Sequence, residues 1–248
     1  MVSWPISSMP SVNDKEGMMN EIYWIDGVQC DANGAAAGLA EATLKTLLQK
    51  TAIQPEWVDA VYWLGGDIVT GSLDEIGLER TAPVLSWPGL PLLDHFMLHS
   101  VARSLFTNEA GLVIMGQQIG DVGGAILLAS PAAVSKHNLT PQANLTARLL
   151  LSPAGSPLAS IRQALENIIQ DAPQALACIA PVDSDSLKIL SSEIETLNPA
   201  VRIEPAPSGV IMQLNLLTEA LQEEENGCGL LVSAIPHRPL LATLIQKV

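Results

Sequence analysis

Gly120-Asp121-Val122-Gly123-Gly124-Ala125-Ile126-Leu127-Leu128 is a glycine-rich turn that opens onto an apolar strand. With no side chain at Gly120, Gly123 and Gly124, the backbone can pack closely and take positive φ before it enters the β-run. An apolar stretch just before it, Leu112-Val113-Ile114-Met115, reads as a buried strand. The turn is therefore a tight junction between two strands, and the segments on either side of it fall into alternating strands and helices.

Toward the N-terminus, 21–28 predicts a strand and 34–50 a helix whose Leu39, Leu44, Leu47 and Leu48 share one face. Residues 58–64 read as a strand ending at Gly65-Gly66, 81–87 as a short strand closed by Pro88-Gly89, and 91–105 as a helix. A Pro-, Ser-, Asn- and Gln-rich passage, 131–144, reads as a linker. Beyond it the plan repeats, with strands at 145–151, 175–180 and 201–204 and helices at 157–170 and 184–197. A helix at 209–224, a strand at 229–235 and a tail helix from Pro239 complete the reading. The expected fold class is α/β, built from two similar βαβαβ halves at 21–137 and 138–248, with 1–20 as a loose leader.

Composition limits the function. Among 248 residues, 48% are hydrophobic and only 15% charged, so the chain can bury a sizeable core of Leu, Ile, Val and Ala. Twenty-six acidic residues against 12 basic ones give a net charge of −14. Such a field repels phosphate backbones and anionic lipid, so neither nucleic acid nor a membrane surface is an expected partner. No apolar stretch reaches the ~20 residues of a membrane span. Residues 1–20 lack the basic region and apolar run of a secretory signal. Cys30, Cys178 and Cys228 show no C-x-x-C spacing and leave one thiol over from any pairing, which points to a reduced, cytoplasmic setting.

The order of segments resembles the thiolase superfamily. Leu39 to Lys50, followed by Ala52-Ile53-Gln54-Pro55-Glu56-Trp57-Val58-Asp59-Ala60-Val61, is similar to the stretch in which a helix of that superfamily runs through a "pedVD" turn into a strand. Leu98-His99-Ser100-Val101-Ala102-Arg103-Ser104-Leu105, with the strand at 112–115, resembles its nucleophile helix and following strand. The Gly120 turn resembles the G-D-G-A-G-A turn of the initiating ketoacyl-ACP synthases. Ala180-Pro181-Val182-Asp183-Ser184-Asp185-Ser186-Leu187-Lys188-Ile189 is similar to their P-H-Q-A-N-x-R-I segment, and Pro207-Ser208-Gly209 to a worn G-N-T-S segment. This implies a layered α-β-α-β-α body, a homodimer or a heterodimer with a thiolase-like paralogue, and contact with acyl-CoA or an acyl carrier protein.

The chain departs from that pattern where the chemistry lies. Decarboxylative condensation needs a thiolate activated at a helix N-terminus, with His and Asn donors for the enolate. Counting back from Leu105 places the nucleophile near Pro91, and no cysteine lies between Cys30 and Cys178. The histidine position falls on Val182 and the asparagine position around Ala206 or Pro207. Asp185 or Asn215 would serve as a donor only under a shifted alignment. Gln117-Gln118 runs almost directly into the Gly120 turn, where the family's tunnel-shaping insertion would fit. The expectation is a non-catalytic partner or scaffold subunit in fatty acid or polyketide metabolism, with no cofactor.

A different chemistry is the alternative. Asp94-His95-Phe96-Met97-Leu98-His99 puts two histidines at i and i+4 on one helix face, with a carboxylate beside the first. Such a pair can share a metal, but no third ligand and no H-E-x-x-H glutamate accompany it, so no metal is expected. Asp94, His95 and His99 are instead the candidate catalytic residues of an acyltransferase or thioester hydrolase, with Ser86 or Ser100 as nucleophile and no G-x-S-x-G turn in support. Cys228 reads as a small packed residue, Gly65-Gly66-Asp67 as a turn and Glu223-Glu224-Glu225 as a solvated helix end.

Overall fold

A computed structural model of the chain describes residues 22–32, 38–65, 72–78, 81–87, 91–150, 176–181, 188, 202–203, 209–223, 227–233 and 240–248. The first half contains β1 (Ile22–Asp31), α1 (Leu39–Thr51), β2 (Ala60–Leu64), β3 (Val84–Trp87), α2 (Pro91–Phe106), β4 (Leu112–Ile119), β5 (Val122–Ala129) and α3 (Pro131–His137). The second contains β6 (Ala143–Leu150), β7 (Leu176–Pro181), β8 (Arg202–Ile203), α4 (Val210–Gln222), β9 (Cys228–Ser233) and β10 (Leu240–Lys247).

The strands form one mixed sheet in the order β3-β2-β4-β5-β1-β6-β10-β9-β7-β8. If each half's five strands are numbered from its own start, both halves read 3-2-4-5-1 from the outer edge to the middle. In both, the fifth strand is antiparallel to its two neighbours, whereas the third, second and fourth run parallel. The two halves thus share a topology that their residues do not advertise. They join where Ile22–Trp24 of β1 pairs antiparallel with Ala143–Leu145 of β6.

Helices α2 and α4 lie between the half-sheets. α2 packs on β4 and β1 of the first half and on β6 and β9 of the second, and α4 touches strands of both halves as well. α1 covers the other face of the first half-sheet. The side chains of β4 and β5 divide accordingly. Val113, Met115, Ile126 and Leu128 join the core around α2 and α4. Leu112, Ile114, Ala125, Leu127 and Ala129 join the core under α1. Burial on both faces explains why these strands read as continuous apolar runs rather than as alternating ones.

The glycine turn is a two-residue hairpin. Ile119 pairs with Val122, and Gly120 between them takes a φ of 57°. Gly123 and Gly124 lie inside β5, where they serve opposite faces. A Cβ on Gly123 would stand 2.5 Å from Thr43 Oγ1 of α1, and one on Gly124 2.7 Å from Met212 Sδ of α4. The two glycines let a helix settle on each side of the strand.

Two expectations are corrected. The passage 131–144 is not a continuous linker, because it begins with α3, whose N-cap Ser130 accepts from the Ala133 N–H and whose first residue is Pro131. Ser at the cap and Pro at the first position make a helix start, a signal outweighed in the sequence by the polar composition. The tail from Pro239 is a strand, β10, inserted between β6 and β9. Its run Leu240-Leu241-Ala242-Thr243-Leu244-Ile245 is apolar throughout, and period alone does not separate a buried strand from a helix. The helices expected at 157–170 and 184–197 lie outside the described residues, Lys188 excepted.

Candidate functional site

α2 and α4 both start at the end of the sheet where β4 finishes. An N-terminal helix end carries partial positive charge and unsatisfied N–H groups, so two such ends side by side favour an acceptor between them. α2 opens at Pro91, the position to which the nucleophile count leads, and α4 opens at Val210 after Gly209, whose φ is 120°.

Gln117, the sixth residue of β4, ties these ends together. Its Oε1 accepts from the Ile211 N–H of α4 at 3.1 Å, and its Nε2 donates to Asp94 Oδ2 of α2 at 2.5 Å. The backbone N–H can only donate, so it fixes which end of the carboxamide faces α4 and leaves the NH2 for Asp94. Asp94 and Gln117 are both buried. The junction is tight, since a Cβ on Gly209 would stand 2.5 Å from Gln117 Oε1. Sequence reading missed Gln117 as a functional position. The two amides Gln117-Gln118 at the end of an otherwise apolar run were the available signal.

Asp94, His95 and His99 fall on the first turns of α2, but they do not act as one group. Asp94 turns to Gln117, whereas His95 Nε2 lies 3.1 Å from Thr243 Oγ1 on β10. The two imidazoles meet edge to face, with centroids 5.3 Å apart. Burial holds His95 well below the ordinary imidazole range, with His99 adding to the effect. Burial likewise lowers His99 to about 4, partly offset by a hydrogen bond with the Ala242 backbone. Among the described residues, His95 Nδ1 and His99 Nε2 have no hydrogen-bond partner. At neutral pH both rings are uncharged, and a base with a pKa near 4 is poorly matched to proton abstraction at pH 7.

The other candidates are dispersed. Ser86 lies on the exposed edge strand β3, and Ser100 Oγ donates to Phe96 O within α2 at 3.2 Å. Cys228 is buried in β9, where burial pushes its thiol up to about 11. Cys30 is half-buried on β1 and Cys178 lies on β7, so no thiol stands at the start of α2. Asn215 faces β1, donating to Val28 O at 3.1 Å. Val182, Asp185 and 206–207 lie outside the described residues. Among the described residues, no three His, Cys, Asp or Glu side chains converge as metal ligands. Cavities of about 220, 350 and 200 Å³ are formed by described residues, and none is lined by Asp94, His95 or His99.

Solved structures place this architecture. Human mitochondrial 3-ketoacyl-CoA thiolase in complex with CoA superposes with a TM-score of 0.64 at 12% identity, covering 93% of this chain and 99% of that one. The fold is that of the thiolases. A second structure of the human enzyme gives 0.65 at 11% identity, over 93% of this chain and 99% of that one. The Acat5 thiolase of Ascaris suum, in complex with coenzyme A, gives 0.67 at 9% identity, over 92% of this chain and all of the other. No family model matches the chain, and no curated protein matches it in sequence. Among the described residues, no helix is long and apolar enough to cross a membrane.

Proposed function

We propose that this thiolase-fold chain is a non-catalytic partner or scaffold subunit in acyl metabolism, derived from a condensing enzyme of the initiating ketoacyl-ACP synthase type. One observation carries the reading. Where the count places a thiolate, at the start of α2, the chain has Pro91, and Gln117 bridges the two helix ends, bonded to Asp94 and to the Ile211 N–H. A donor aimed at an oxyanion must be free to meet it. Here the Ile211 N–H is already satisfied by the protein itself.

The halves are assigned to 21–137 and 138–248, with 1–20 as a leader, and the protein to the cytoplasm. Association is assigned to the β3 edge, which among the described residues has β2 as its single neighbour in the sheet. Leu85 of β3, a large apolar side chain on that strand, is 42% exposed. An open strand edge with an exposed apolar residue on it is a template for another chain, either a second copy or a thiolase-like paralogue. Acyl-CoA or an acyl carrier protein would then be the partner's ligand. The alternative, an acyltransferase or thioester hydrolase built on Asp94, His95 and His99, has against it two imidazoles that burial keeps neutral and an Asp94 that accepts from Gln117.

The test follows free CoA over time with acetyl-CoA, malonyl-CoA and longer acyl-CoAs, alongside light scattering of the wild type and Leu85→Lys. The proposal expects no CoA release, and an assembly that Leu85→Lys dissociates. Steady CoA release abolished by His95→Ala or His99→Ala would establish the alternative.

A further inference from the structure

We infer that His95 and His99 form an acid-sensitive seam between the two halves of the sheet, so that protonating them loosens α2 from β10 while the half-sheets themselves persist. α2 belongs to the first half and β10 to the second, and the seam lies where the two meet. His95 and Thr243 are both fully buried and lie 3.1 Å apart, and the backbone of Ala242 bonds His99.

A neutral imidazole has one donor and one acceptor, whereas a protonated one has two donors and a charge. Among the described residues His95 Nδ1 and His99 Nε2 lack hydrogen-bond partners, so the added proton finds no acceptor there. The surroundings supply little relief. β4 carries no ionisable residue, and β9 carries only Cys228. On β1, Tyr23 and Cys30 are half-buried, Asp31 is exposed and Asp26 is paired with Lys50. Glu219 of α4 and Arg103 of α2 are exposed, and Lys247 of β10 donates to Gln222 O. On β6, the residue in register with Thr243 is Ala147, whereas Arg148 is in register with Ala242. Asp94, next to His95 in sequence, accepts from Gln117.

The sign follows from proton counting. An unfolded or opened chain protonates these imidazoles near 6.5, while the closed seam keeps them neutral, His99 down to about 4. Between those values the open form binds more protons, so stability falls as pH falls. The limit is a tenfold loss in the folding constant per pH unit for each imidazole, which corresponds to about 1.4 kcal/mol.

The experiment measures urea midpoints from pH 7.5 to 4.5, together with amide protection factors in α2 and in the β4–β5 hairpin, for the wild type, His99→Gln and His95→Asn/His99→Gln. A midpoint that drops with acid in the wild type, less steeply in His99→Gln and least in the double variant, where His137 leaves a residual slope of the same sign, is the expected result, with protection lost in α2 before β4–β5. Should the double variant not fold, 13C titration of the wild-type imidazoles decides, with both rings expected to stay neutral at pH 5.5. An imidazole that protonates near pH 6.5 in the folded protein, or variants as acid-sensitive as the wild type, would overturn the inference.

Discussion

Helix α2 carries two buried polar sites within two turns, and they are built in opposite ways. At Asp94 a carboxylate, a carboxamide and a backbone N–H complement one another across both central helices. At His95 and His99 the rings are matched on one side, to Thr243 and the Ala242 backbone, and each leaves a nitrogen without a partner among the described residues. Burial alone does not make a polar group costly. What separates the sites is that in the first each bonded donor meets an acceptor, whereas the second tolerates only neutral rings.

The largest expected effect comes from breaking the matched site. Gln117→Leu removes one donor from the buried Asp94 and the acceptor of the Ile211 N–H, and should lower unfolding free energy by about 3 kcal/mol, read as a fall in urea midpoint at constant slope. A smaller loss would mean that the junction is hydrated. Gln117→Glu sharpens the comparison by putting a second carboxylate against Asp94. One of the pair must then stay protonated, so its pKa in the folded state rises above the ordinary ~4 and stability falls as pH rises through it, opposite in sign to the His95 and His99 seam. Denaturation curves at pH 5 and pH 8 check that inversion.

Thr243→Val removes the hydroxyl from His95 without changing shape, and should cost about 1–2 kcal/mol at pH 7.5. Lys50→Met is the smallest change. It breaks the ion pair to Asp26 at 2.8 Å on the surface, where Lys50 is about half exposed, and should shift stability by less than about 0.5 kcal/mol. A loss comparable to that of Thr243→Val would show that the contrast between buried and exposed polar contacts has been drawn too sharply.

The sequence made the β4–β5 unit readable because its apolar runs are continuous and its glycines mark the turn. The repeated element order was readable too, and with it the two-half plan. The strand order was not, since β10 hides in a run that suits either a helix or a strand, and without it the fifth strand of the second half is missing. Asp94, His95 and His99 could be picked out as neighbours on one helix. Their separation into two sites could not, because Gln117 is 23 residues from Asp94 and 94 from Ile211, and Thr243 is 148 from His95. Contacts that span the two halves depend on topology, which a local pattern does not carry.

On the proposed reading, no thiol and no other working nucleophile remains where the two central helices begin. Intact-protein mass after incubation with acetyl-CoA, malonyl-CoA and longer acyl-CoAs tests it most directly. An unchanged mass in the wild type is the predicted result. A stoichiometric acyl adduct mapping to α2, β10 or the start of α4 would contradict it.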